Sequence, residues 1–94
     1  MNITDHKFEK IEDPFGILEG ERYEFHLYAS VDEEDELYSP EGFYIRVLYA
    51  VTENEQKIAG LFLHNRANDS VLDFELEEDE IELVRTYCAG HLNA

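Results

Sequence analysis

The stretch Phe43-Tyr44-Ile45-Arg46-Val47-Leu48-Tyr49-Ala50-Val51 is apolar at every position except Arg46 and is dominated by β-branched and aromatic side chains, the composition of a strand. In alternation Phe43, Ile45, Val47, Tyr49 and Val51 point to one face, and Tyr44, Arg46, Leu48 and Ala50 to the other, so both faces call for cover. An edge strand does not carry that pattern, and the segment is predicted to be central. A neighbour is legible at residues 21–31, where Tyr23, Phe25, Leu27, Ala29 and Val31 alternate with Arg22, Glu24, His26, Tyr28 and Ser30, as in a half-buried antiparallel strand.

Further upstream, residues 2–12 offer only Ile3, Phe8 and Ile11 as large apolar side chains among charges. That suits a strand at a sheet edge, where the charges discourage edge-to-edge pairing. Asp13-Pro14-Phe15-Gly16 is a turn signal and Gly20 a second break, with Ile17 and Leu18 expected to tuck back onto the core. The acidic run at residues 32–36 and the turn chemistry of Ser39-Pro40-Glu41-Gly42 join the two best strands in a long hairpin.

Downstream of a polar turn at residues 52–56, residues 57–65 read as another strand, with Ala59, Leu61 and Leu63 opposite Ile58, Gly60, Phe62 and His64; periodicity leaves open which set faces inward. Residues 66–70 form a turn, and at residues 71–76 Leu72, Phe74 and Leu76 alternate with Asp73 and Glu75 as either a fifth strand or an extended lead-in. The period changes at residues 77–89. Ile81, Val84, Cys88 and Leu92, supported by Tyr87, recur every three or four positions and make one helix face apolar. Glu77, Glu78, Asp79 and Glu80 complement the positive end of the helix dipole, and Gly90 is placed to end the helix. The prediction is one α+β domain over residues 1–94. Its four- to five-stranded antiparallel meander carries one C-terminal helix on the face of Tyr23, Phe25, Leu27, Ile45, Val47 and Tyr49.

Charge narrows the function classes. With 23 acidic residues against 7 basic ones, the net charge of -16 repels phosphate backbones and anionic lipid. Neither direct nucleic-acid binding nor membrane binding is expected. The N-terminal stretch MNITDHKFEKIED has no basic or apolar leader region, no window approaches a transmembrane span, and the lone Cys88 suits a reducing compartment; a cytoplasmic protein is expected.

No motif of nucleotide binding, zinc proteolysis or nucleophilic hydrolysis is present. The acidic run Asp32, Glu33, Glu34, Asp35 and Glu36 lacks the spaced ligands and central glycine of a calcium loop. With Glu77, Glu78, Asp79 and Glu80 it reads either as solvated surface or as the contact for a basic partner. Cys88 and His91 lie about one helical turn apart, but two ligands do not make a zinc site, and His26 and His64 sit on strands where only tertiary structure could add them. No cofactor, metal or catalytic residue is assigned. Tyr28, Tyr44 and Leu48 are left over on the second sheet face and form a candidate homodimer surface.

The runs IEDPFGILEGERYEF, DEEDELYSPEGFYIRVLYAV and LDFELEEDE together resemble a family of small, acidic, uncharacterised Bacillus-type proteins, over nearly the whole chain. That resemblance implies a bacterial intracellular protein and carries over no functional residue. Some members bear the label pullulanase, which fits poorly with a chain of 94 residues, since a glycosidase barrel takes about 250. The reading favoured by the sequence is a protein-binding or regulatory module engaging a basic partner. The alternatives are a small enzyme with an unrecognised pocket and a structural homodimer.

Overall fold

The structure, a computed structural model, describes residues 1–12, 20–35, 38, 40–53, 55–73 and 75–92. The turn expected at residues 13–16, Ile17, Leu18, Glu36, Ser39 and Phe74 lie outside them. Strands β1 (Asn2–Ile11), β2 (Glu21–Ser30), β3 (Phe43–Val51) and β4 (Gln56–Asn65) precede one helix, α1 (Glu78–Leu92). The sheet has the order β1-β2-β3-β4 with every neighbouring pair antiparallel, and the stretch rich in β-formers is one of its two inner strands.

The alternation read in β2 and β3 selects the core. Phe25 sits opposite Val47, Leu27 opposite Ile45 and Tyr23 opposite Tyr49. Apart from the partly buried Tyr23, these side chains are buried together with Phe43, Leu63, Leu76 and, from the helix, Val84 and Cys88. The helix therefore lies on the face that the sequence assigns to it. Its start is held by its own acids: Ile81 N–H donates to Glu77 C=O at 2.9 Å, and the Glu80 carboxylate reaches back to accept from Glu77 N–H at 3.0 Å. That second bond is the acidic half of a capping box. The first turn stands off the core, and Ile81 is 39% exposed.

Two features depart from the expectation, and a third decides an alternative left open. Between Leu48 and Tyr49 the register of β4 shifts, because Leu48 faces Gly60 while Tyr49 faces Ile58, so Ala59 is an extra residue. The bulge reverses the alternation and brings Ile58 onto the core side with Leu61 and Leu63. Residues 71–76 do not add a strand among the described residues; Val71 makes an isolated bridge to His64, Leu72 N–H donates to Leu63 C=O at 2.8 Å, and Leu76 is buried. Finally, the helix does not stop before Gly90 but continues to Leu92, which packs against the core.

Candidate functional site

Charge is segregated by element. The four strands carry five cations, Lys7, Lys10, Arg22, Arg46 and Lys57, against four carboxylates, Asp5, Glu9, Glu21 and Glu24. The sheet thus holds a net +1, and all the other residues together hold -17 of the total of -16. Asp32, Glu33, Glu34 and Asp35 are exposed on the connection from β2 to β3, which turns through Asp35 N–H to Asp32 C=O at 2.9 Å and Tyr38 N–H to Asp35 C=O at 3.0 Å. At the helix start Glu77, Glu78 and Asp79 are exposed, and Glu80 is half-buried by its capping role. Among the described residues, ion pairs join Glu21 to Lys10, Glu24 to Arg46 and His26, Glu55 to Lys57, and Glu82 to Arg85.

The helix-free face of the sheet is built differently. Cross-strand pairing sets Asp5, Tyr28, Tyr44 and His64 in one row and Lys7, His26, Arg46 and Phe62 in the next. The ring of Tyr44 is stacked between His26 and His64, with centroids 5.1 Å away on both sides. Tyr44 is consequently only 7% exposed, and its hydroxyl donates to Asp69 Oδ1 at 2.9 Å. Burial first, and then the Asp69 carboxylate, raise its pKa, so it remains a neutral donor. Nδ1 of His64 lies 2.8 Å from the Asp69 carbonyl, which can only accept; in the neutral ring Nδ1 therefore bears the proton and Nε2, buried without a partner among the described residues, does not.

Arg66 lies over the Tyr28 ring at 4.9 Å and Arg46 over Phe62 at 5.3 Å. Leu48 is half-buried and closes over Gly60, where an added Cβ would meet its Cδ1 at 3.2 Å. Of the candidate homodimer residues, then, Tyr44 is covered by the chain's own rings, Tyr28 by Arg66, and Leu48 is partly enclosed. Among the described residues, the largest exposed apolar side chain of this face is Phe62, at 40%.

The groups from which an enzyme would be assembled are kept apart. Cys88 is buried beneath the helix, where desolvation pushes its thiol up to about 12, while His26 and His64 occupy the opposite sheet face. His91 does not share a site with Cys88. It turns to His6, with ring centroids 4.1 Å apart, and to Tyr87 at 4.3 Å, while Tyr87 Oη lies 2.8 Å from His6 Nδ1. Among the described residues no three His, Cys, Asp or Glu side chains converge as a metal would require.

A depression of about 180 Å³ is lined by Lys7, Phe8, Glu9, Glu24 and His26. The hydrogen bond from Arg46 Nε, 2.8 Å from Glu24 Oε1, holds the Glu24 carboxyl below its usual range, which keeps it charged rather than poised to donate a proton. A second depression of about 260 Å³ lies at the β3 end near Tyr38, Pro40 and Arg66. The ring row was not legible, because it depends on cross-strand register.

No helix among the described residues is long and apolar enough to cross a membrane. Compared with known proteins, residues 1–94 match the model of DUF6509, a family of unknown function. No curated protein and no solved structure matches the chain.

Proposed function

The chain belongs to the DUF6509 family, and on that premise we propose that it is a protein-binding, regulatory module whose acidic connections engage a basic partner in the cytoplasm. The observation that carries the reading is the segregation of charge: the strands together are near-neutral, and the residues outside them hold -17. Exposed carboxylates on turns remain solvated, and they accelerate the encounter with a positive surface by long-range attraction. Glu33, Glu34, Glu77, Glu78 and Asp79 are the contact residues in this reading; Glu80 serves the helix cap. An enzyme has less support, because Cys88 is buried and Glu24 is locked by Arg46.

The test is affinity capture from native cell lysate at about 50 and about 150 mM salt, where the screening length shortens from roughly 14 to 8 Å. It uses the wild-type chain, a variant carrying Asp32→Asn, Glu33→Gln, Glu34→Gln and Asp35→Asn, and a variant carrying Glu77→Gln, Glu78→Gln and Asp79→Asn. A basic protein retained more strongly at the lower salt, and lost on neutralising either segment, supports the reading. A retained protein indifferent to both sets of substitutions, or no retained protein at either salt, overturns it.

A further inference from the structure

The two edges of the sheet differ. On the β4 side the returning chain bridges His64 through Val71 and pairs Leu72 with Leu63. Among the described residues no such segment covers the outer side of β1, where the His6 N–H is turned onto Asp5 Oδ1 at 2.8 Å. A ten-residue edge of this kind exposes alternate N–H and C=O groups to any strand of matching register. β1 is also electrically balanced, with Asp5 and Glu9 against Lys7 and Lys10, in a chain of net charge -16. It is a place where two copies can meet with little local repulsion. Because His91 lies against His6, the carboxylates of the first helical turn stand roughly 20 Å further along the helix from this edge.

Phe8 is the second observation. Its ring stacks on Phe25 at 4.9 Å, and Phe25 meets Tyr49 edge-on at 6.2 Å, so an aromatic row crosses the core face and ends at Phe8, which is 44% exposed. We propose that β1 pairs antiparallel with β1 of a second copy of this chain, Phe8 opposite the partner's Phe8, joining two four-stranded sheets into one about a two-fold axis.

Charge selects the register. A two-fold axis perpendicular to the sheet keeps each face on its own side, and the alternation is regular from Asp5 to Ile11, so the pairing must centre on a residue of β1. Centred on Lys7, it sets Lys7 against Lys7 and Asp5 against Glu9; centred on Glu9, it opposes two carboxylates. Centred on His6, it pairs Asp5 with Lys7 but places Phe8 against Thr4 at the bulge. Centred on Phe8, it puts Lys7 opposite the partner's Glu9 and Glu9 opposite the partner's Lys7, and covers both exposed rings. The charges of β1 thus oppose most pairings and permit this one.

The experiment has two arms. Directly opposed residues across an antiparallel pair have Cα atoms about 5.5 Å apart, within disulfide range. Under mild oxidation Phe8→Cys is expected to trap a covalent dimer rapidly, whereas Lys10→Cys, which would face the partner's His6, traps little. The native Cys88 is buried and does not compete. In sedimentation equilibrium Lys7→Glu is expected to weaken the dimer about tenfold, and Lys7→Glu with Glu9→Lys to restore it, each variant being checked for folding by its thermal transition. The proposal is overturned if Phe8→Cys traps no faster than Lys10→Cys, if the double exchange stays as weak as the single one, or if the wild-type chain is monomeric at about 1 mM. A dimer that ignores Lys7→Glu and dissociates with Phe62→Asp puts the contact on the helix-free face and equally overturns it. None of these readouts depends on the acidic segments.

Discussion

Gly90→Ala is expected to stabilise the protein, although glycine near a helix end is ordinarily the residue to keep. The backbone at Gly90 is helical, positive φ among the described glycines being confined to Gly20 and Gly42, and the helix runs on to Leu92. A Cβ added there meets nothing within 4 Å. Alanine in place of glycine gains about 1 kcal/mol in a helix interior, through the lower entropy of the unfolded chain. Two residues from the end, about half of that survives fraying, so a gain of ~0.5 kcal/mol and a rise in Tm of about 2–4 °C are expected for a chain of this size. The assay is thermal denaturation followed by far-ultraviolet circular dichroism, with urea unfolding as a second measure. Had Gly90 ended the helix in the left-handed conformation, alanine would cost about 1 kcal/mol or more. A lower Tm for Gly90→Ala would refute the reasoning by its sign.

Three further outcomes follow from the core and the charges. Val47→Asp places an unpaired carboxylate at a fully buried position opposite Phe25 and Leu61; a loss of roughly 3–5 kcal/mol is expected, and an unchanged urea midpoint would show that this face is not core. The Glu24 pKa is lowered by the Arg46 hydrogen bond, so this pair contributes stability above the unfolded value of 4.5 and loses it as pH falls through the lower folded value. Arg46→Met should make the loss of Tm below about pH 4.5 shallower, and an unaltered acid limb would contradict the assignment. Screening of the -16 charge by moderate NaCl should raise Tm, against which a steady fall with added salt would count.

What the sequence displayed was whatever one element determines alone. Period-two alternation in residues 21–31 and 43–51 identified Phe25, Leu27, Ile45, Val47 and Tyr49 as core, and the change of period near Glu77 located the helix, because burial of one face imposes those spacings directly. Features that depend on two elements were hidden. The extra residue Ala59 is invisible in a list of apolar positions, yet it moves Ile58 to the face of Leu61. Gly90 ends a helix only if no packing favours another turn, and Leu92 supplies that packing. The stacking of His26, Tyr44 and His64 is a consequence of register. Tyr28, Tyr44 and Leu48 were correctly singled out as facing away from the helix, but cover supplied by Arg66, His26 and His64 cannot be read from the chain in isolation.

In the proposed function the acidic segments outside the sheet make the contact with the partner. Amide hydrogen exchange of the chain, measured with and without the basic protein retained in capture, addresses it most directly. Slowed exchange is expected at residues 32–35 and 77–79, where exposed carboxylates meet the partner, with the strands unchanged. Slowed exchange confined to the strands, with both acidic segments unaffected, would contradict it.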